Sequence, residues 1–276
     1  MTVQAALRQG CELLEEGAIP APRLQAEVLL CHALGCERSH LYGHPEEELS
    51  EIAWLDYGRY LHQRLQGKPT QYITRRQEFY GRDFLVTPDV LIPRPETEHV
   101  VFTAMNLARN SKTVVDVGCG SGAIAVTLRL EMEAEVWGTD ISHAALAVAQ
   151  ENARRHEVAV HLVTCELASA IAGRSADLLV SNPPYVPLAD RASLQREVRD
   201  YEPPVALYAG PTGFEIYQRL VLDAERVLRP GGWMVVEIGF RAENPVRQLL
   251  GPGWQDVRVV PDLAGLPRVL AARLAP

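Results

Sequence analysis

The sequence predicts an α/β protein, a mostly parallel sheet covered by helices on both faces and preceded by a small all-helical domain. Three observations carry this expectation. From about residue 111, short β-forming runs alternate with helical stretches. The first 66 residues show only helix-period patterning. A length of 276 residues, at roughly 150 per domain, has room for two domains. With 47% hydrophobic and 22% charged residues, the chain can bury a core of that size.

In chain order, Leu7, Cys11, Leu13 and Leu14 suit one amphipathic helix, broken by Gly17-Ala18-Ile19-Pro20. Leu24, Val28, Leu29, Cys31 and Leu34 suit a second, which stops at Gly35. A third is expected from Glu47 to Leu65, with Leu49, Ile52, Trp54, Leu55, Leu61 and Leu65 on its buried side. Glu46, Glu47 and Glu48 read as its acidic N-terminal turn, where carboxylates complement the dipole. Between Gln71 and Val86 the β-formers Tyr72, Ile73, Phe79, Tyr80 and Phe84, interrupted by Gly81-Arg82, read as a hairpin. The expected division is a helical domain over 1–68, a β-hairpin linker over 69–90 and an α/β domain over 91–276.

In the α/β domain, strands are expected at Thr113–Val117, Glu135–Thr139, Val158–Val163, Asp177–Ser181 and Trp233–Ile238. Helices are expected at Ser121–Leu130, Ala144–Arg155 and Phe214–Leu228, the last broken by Pro230-Gly231-Gly232. Val257–Val260 and Val269–Leu274 read as a final antiparallel pair.

A formal charge of −8 argues against a protein that grips a phosphate backbone non-specifically. No apolar run approaches the 18 or so residues of a membrane span. The N-terminus mixes Arg8, Glu12, Glu15 and Glu16 among its apolar residues, unlike a secretory signal. The expectation is a soluble cytoplasmic protein. The odd set Cys11, Cys31, Cys36, Cys119 and Cys165 does not form a disulfide framework, and the spacing of Cys31 and Cys36 has no second pair to complete a zinc site.

The chemistry concentrates at two places. Asp116-Val117-Gly118-Cys119-Gly120-Ser121-Gly122 closes the first strand and opens a helix. Glycines there let the backbone turn tightly and approach a ligand. Their G-x-G-x-G spacing departs from the dinucleotide G-x-G-x-x-G. A pyrophosphate wants bare amides at the helix start, whereas an ammonium-bearing ligand wants a carboxylate, which Asp116 can supply. Asp140 ends the second strand, where a carboxylate accepts from ribose hydroxyls. The combination favours S-adenosyl-L-methionine over NAD.

The second place is Asn182-Pro183-Pro184-Tyr185, at the carboxyl end of the strand Asp177–Ser181. The matching nucleophile is a planar nitrogen with a delocalised lone pair, such as a carboxamide or an adenine amino group. The Asn182 side-chain oxygen and the Pro183 carbonyl can accept its two hydrogens. Prolines bring acceptors without competing donors. Tyr185 offers an aromatic face to the planar group or the methyl sulfonium. Cys119 reads as a small spacer.

These motifs resemble those of class I S-adenosylmethionine-dependent methyltransferases, Rossmann-like enzymes, that act on planar nitrogens. Gln71-Tyr72-Ile73-Thr74, Glu78-Phe79-Tyr80-Gly81, Leu91 to Glu98, Glu237-Ile238-Gly239 and Asp262 to Gly265 are similar to the peptide chain release factor glutamine methyltransferases, the HemK/PrmC family. So is the helical segment Ala21 to Leu30. That resemblance implies methylation of the glutamine side-chain amide in the Gly-Gly-Gln motif of class I release factors. It implies cofactor contacts by Gly118, Cys119, Gly120, Ser121, Gly122, Asp140, Leu167 and Asn182. It implies substrate contacts by Asn182, Pro183, Pro184 and Tyr185, with Asn182, Pro183 and Tyr185 catalytic, and the helical domain helping to grip the factor. No metal, membrane or direct nucleic-acid partner is expected. The chain departs from the family's pattern at Cys119, Leu167, Arg75 and Phe240 to Glu243. Ribosomal-protein glutamine methyltransferases, which typically read serine-proline after the Pro-Arg pair, and DNA adenine methyltransferases are the alternatives.

Overall fold

Apolar side chains at helical spacing build the first of two units into which the chain divides. The computed structural model describes residues 1–276. One unit comprises Met1–Arg76 with Gln195–Tyr201, and the other Gln77–Leu194 with Glu202–Pro276.

The first unit has helices at Val3–Glu16, Pro22–Leu34, Arg38–Gly43, Glu51–Leu65 and Thr70–Thr74. Thr2 and Ser50 cap two of them, accepting from Ala5 and Ala53 amides. Gly35, in the left-handed region, ends the second. The core gathers Val3, Leu14, Leu29, Leu30, Tyr57 and Leu61. Gly10 is required by packing, because a Cβ there would lie 1.8 Å from the Tyr57 hydroxyl. Three local expectations are corrected. The helix Glu51–Leu65 starts later than expected, after Ser50, so Glu46 to Glu48 lie in a turn and a bridge to Thr2. Its buried face is Ala53, Tyr57, Leu61 and Arg64, whereas Ile52 and Leu55 are 74% and 63% exposed. Tyr72 and Ile73 are helical, since both amides bond back to the Pro69 carbonyl.

Arg64 is 3% exposed and donates to Gln25, to the Lys68 carbonyl at 3.3 Å and to Glu197. Glu197 lies in the short helix Arg196–Tyr201, which is why that segment belongs to this unit.

A hairpin of β1 (Arg76–Phe79) and β2 (Arg82–Leu85) begins at the last residue of the first unit's main segment and otherwise belongs to the second unit. Its two turn residues, Tyr80 and Gly81, have φ of 54° and 69°, the pattern of a type I′ turn. The main sheet contains β3 (Thr113–Val117), β4 (Glu135–Asp140), β5 (His161–Thr164), β6 (Ala176–Ser181), β9 (Leu228–Glu237), β10 (Trp254–Pro261) and β11 (Pro267–Leu274). A two-residue ladder joins β7 (Val186–Pro187) to β8 (Tyr208–Gly210). The sheet order is β10-β11-β9-β6-β3-β4-β5. β9, β6, β3, β4 and β5 are parallel, and β11 pairs antiparallel with both β9 and β10.

Both faces are buried because successive strand residues alternate between two cores. Val114, Leu178 and Val180 pack against the helices Glu98–Ala108 and Ala123–Glu131 through Val100, Ala104 and Ile124. Val115, Val117 and Leu179 pack on the other face against Tyr217, Leu220 and Val221 of the helix Glu215–Val227. Pro230-Gly231-Gly232 does not separate helix from strand as expected. It bulges within β9, between Leu228 opposite Ala176 and Trp233 opposite Leu178. No helix is long and apolar enough to cross a membrane.

Candidate functional site

The strand order reverses at β3, with β4 on one side and β6 on the other. The carboxyl ends of strands at such a switch point leave a crevice where ligands bind in open α/β sheets. Here the crevice is a cleft of about 1080 Å³.

Gly118, Cys119, Gly120 and Ser121 form one wall. Gly118 and Gly120 have φ of 70° and 54°, and a Cβ on either would meet no protein atom within 4 Å. The loop therefore bends as only glycine bends easily, and it faces open space. Its floor is Asp140, whose Oδ2 accepts the Gly120 amide at 2.9 Å while Oδ1 accepts the Ser142 amide at 2.8 Å. Asp140 and Ile141 line the cleft, as does Leu167. Leu167 is held at φ 47° while its carbonyl accepts the Thr139 hydroxyl at 2.7 Å. The Cys119 amide donates to the Thr139 carbonyl at 2.9 Å. Burial raises the Cys119 thiol well above its usual range, which leaves it a small apolar spacer.

Asn182 and Pro184, just beyond β6, also line the cleft. The Ser181 hydroxyl donates to the Val117 carbonyl at 2.7 Å and ties the end of β6 to the end of β3. The glycine loop and Asn182 thus start from adjacent, fastened strand ends.

Other expected site residues lie elsewhere. Asp116 does not face the cleft. It is fully buried beneath the loop, where Oδ2 accepts the Ala125 amide at 3.0 Å and braces the helix Ala123–Glu131. Burial pushes its carboxyl up to about 7. Gly122 stands behind the wall, and a Cβ there would lie 3.1 Å from the Ala149 Cβ, so it serves helix packing. Pro183 is buried. The Tyr185 ring lies against Gly239, where a Cβ would come within 2.8 Å, and its hydroxyl donates to Glu237 at 3.4 Å. In these positions neither Pro183 nor Tyr185 lines the cleft. Arg94 pairs with the buried carboxylate of Glu202.

Three residues escaped sequence reasoning. Thr97 lines the cleft and is bonded to Asn182 and Glu237. Glu237 is 1% exposed on β9. Asn152 is fully buried and connects Leu85 to Ser121 behind the loop. The signal for Glu237 was an acid inside an apolar strand. Thr97 lay inside the family-like run Leu91 to Glu98 without being singled out, and Asn152 gave no signal.

A seven-stranded sheet in this order, with a glycine loop and a strand-end acid at its switch point, defines a class I methyltransferase. A methyltransferase from Pyrococcus furiosus shares this fold, with a TM-score of 0.55, 16% identity and 72% of this chain and 91% of that chain covered. Residues 5–74 match the PrmC N-terminal domain, and residues 99–197 match the methyltransferase small domain. A release factor glutamine methyltransferase of Koribacter versatilis is 45% identical over 99% of both chains. One of Nitratidesulfovibrio vulgaris is 42% identical over 99% of this chain and 95% of its own. The chain belongs to the release factor glutamine methyltransferase family.

Proposed function

We propose that this enzyme methylates the side-chain amide nitrogen of the glutamine in the Gly-Gly-Gln motif of class I release factors, using S-adenosyl-L-methionine, in the cytoplasm where those factors work. One observation carries the reading: Asn182 lines the same cleft as the glycine loop and Asp140. A planar-amide acceptor thereby shares one cleft with a candidate nucleoside cradle.

The residues present fit the cofactor. The open space over Gly118 and Gly120 admits a ligand against the backbone, Asp140 has lone pairs left for ribose hydroxyls, and Ile141 and Leu167 give apolar surface for a base. When bound, the sulfonium supplies an electrophilic methyl carbon.

The chain's task is to make a poor nucleophile attack. An amide nitrogen shares its lone pair with its carbonyl. Holding its hydrogens in the right plane turns the lone pair toward the methyl group, and positioning of this kind accounts for most of the rate. Asn182 Oδ1 accepts one hydrogen. The second hydrogen is assigned to the Pro183 carbonyl, in the backbone between Asn182 and Pro184, which both line the cleft. Tyr185 acts from behind, its ring fixing the segment against Gly239.

A free tripeptide offers little binding energy beyond the reacting amide. The helical unit supplies more, and its exposed pair Ile52 and Leu55 is a candidate contact with the release factor.

Mass spectrometry of an intact release factor, incubated with enzyme and cofactor, tests this reading. One added methyl on the Gly-Gly-Gln glutamine is the expected result. Methyl found instead on DNA adenine or on a ribosomal protein would replace it.

A further inference from the structure

Behind Asn182 lies a short polar chain that the reaction described so far does not use. Asn182 Nδ2 donates to Thr97 Oγ1 at 3.0 Å, and Thr97 Oγ1 donates to Glu237 Oε2 at 2.6 Å. The other carboxylate oxygen, Oε1, accepts from the Tyr185 hydroxyl at 3.4 Å, and the Glu237 carbonyl accepts from the Tyr217 hydroxyl at 2.9 Å. Thr97 and Glu237 are 3% and 1% exposed. The pair joins the start of the helix Glu98–Ala108 to the end of β9, with the Asn182 loop between them.

Hydrogen-bond roles make this arrangement directional. An ionised carboxylate only accepts, a hydroxyl has one proton to give, and a carboxamide has a donating and an accepting end. With its proton committed to Glu237, the Thr97 oxygen can only accept from its other neighbour. The neighbour must then present nitrogen, and Asn182 does. If the hydroxyl proton pointed the other way, it would draw Asn182 Oδ1 toward Thr97 and turn the NH₂ group into the cleft. A donor there would repel the hydrogens of a substrate amide.

We propose that Glu237 and Thr97 are positioning residues which fix the flip of the Asn182 carboxamide, so that its oxygen faces the amide nitrogen to be methylated. This rests on the acceptor role given to Asn182 above. A buried glutamate is costly unless its contacts require it, and here the requirement is a fixed acceptor at the end of the chain. Burial pushes the Glu237 carboxyl up to about 7. At pH 8 the accepting form therefore predominates, and the test belongs there.

Thr97→Val keeps the shape and removes the hydroxyl, whereas Thr97→Ser keeps the hydroxyl. At pH 8, T97V is expected to lose at least tenfold in kcat on an intact release factor. Its calorimetric Kd for S-adenosylmethionine should stay within about threefold of wild type, and T97S should recover most of the rate. A second readout needs no turnover. In the wild-type protein, ¹⁵N spectra should show an Asn182 side-chain amide proton protected from solvent exchange, and T97S should retain that protection. Wild-type kcat in T97V, equal impairment of T97V and T97S, or an unprotected Asn182 amide in the wild type would overturn the proposal. Asn182→Ala separates the two ideas. If N182A turns over normally, the acceptor role itself is wrong; if N182A is dead while T97V is fully active, only the relay is wrong.

Discussion

Asn152→Ala should cost about 3–5 kcal/mol of folding free energy. The side chain is fully buried in the helix His143–Arg155 and makes three bonds. Oδ1 accepts the Leu85 amide at 2.7 Å, and Nδ2 donates to the Leu85 carbonyl at 3.0 Å and the Ser121 carbonyl at 2.8 Å. Each bond contributes about 1 kcal/mol net, and a buried group left without its partner costs about 1–3 kcal/mol. Alanine removes all three bonds and strands the buried Leu85 amide. Partial relaxation sets the lower bound. The loss is a large share of the 5–15 kcal/mol typical of a folded domain. Because one bond holds the glycine loop at Ser121, cofactor affinity should fall as well. Urea unfolding with unchanged m-values reads the stability, and calorimetry reads the affinity. A loss below 1 kcal/mol would refute the account of Asn152 as the brace between the end of β2 and the loop.

Asn182→Ala should cut kcat on a release factor at least about 100-fold while the cofactor Kd moves only a few-fold, since the acceptor acts chiefly on the nucleophile; comparable losses in both would make Asn182 a cofactor residue. Asp140→Ala should weaken cofactor binding by about 1–3 kcal/mol, roughly 5- to 150-fold in Kd, and an unchanged calorimetric Kd removes it from the site. Glu237 and Asp116, both pushed up to about 7 by burial, keep protons in the folded state that the unfolded chain releases at lower pH. Between roughly pH 4 and 7 the folded state therefore binds more protons, and their contribution makes stability fall as pH rises. Glu237→Gln should flatten that decline between pH 5.5 and 8 in urea titrations, and an unaltered slope would show that Glu237 does not cause it. The double variant Ile52→Glu with Leu55→Glu should slow methylation of an intact release factor at least about fivefold and leave a Gly-Gly-Gln peptide unaffected; equal slowing of both would assign the pair a structural role.

Much of the α/β unit was legible because its signals are local. Strands buried on both faces read as continuous apolar runs, and the glycine spacing and strand-end Asp140 mark the ligand edge whatever surrounds them. The helical unit was harder, since its sequence shows period but not phase. Ile52 and Leu55 lie on the same helix as Tyr57 and Leu61, and nothing local says which side a neighbouring helix will cover. At the site, the position of Asn182 in the cleft was readable from its place just beyond an apolar strand. The orientation of Asp116 was not, because a carboxylate before a glycine loop can point to the ligand or under the helix, and only packing decides. Thr97 and Asn152 act through partners 140 and 67 residues away in sequence, and no window on the chain contains both ends of such a bond.

The ion pair between Arg64 and Glu197 also bears on the order in which the molecule is made. The two residues stand 133 positions apart. At about 5–20 residues per second, ribosomal synthesis delivers Glu197 roughly 7–27 s after Arg64. The amino-terminal helices leave the ribosome first, yet Arg64 must wait for its carboxylate partner, in a segment encoded beyond the Asn182 loop. A guanidinium without its carboxylate is poorly suited to that interior. The first unit therefore reaches its final packing only after the nascent chain has passed residue 201, and a stalled or truncated message that ends before it would release a helical unit whose Arg64 lacks both its carboxylate partner and the helix that carries it.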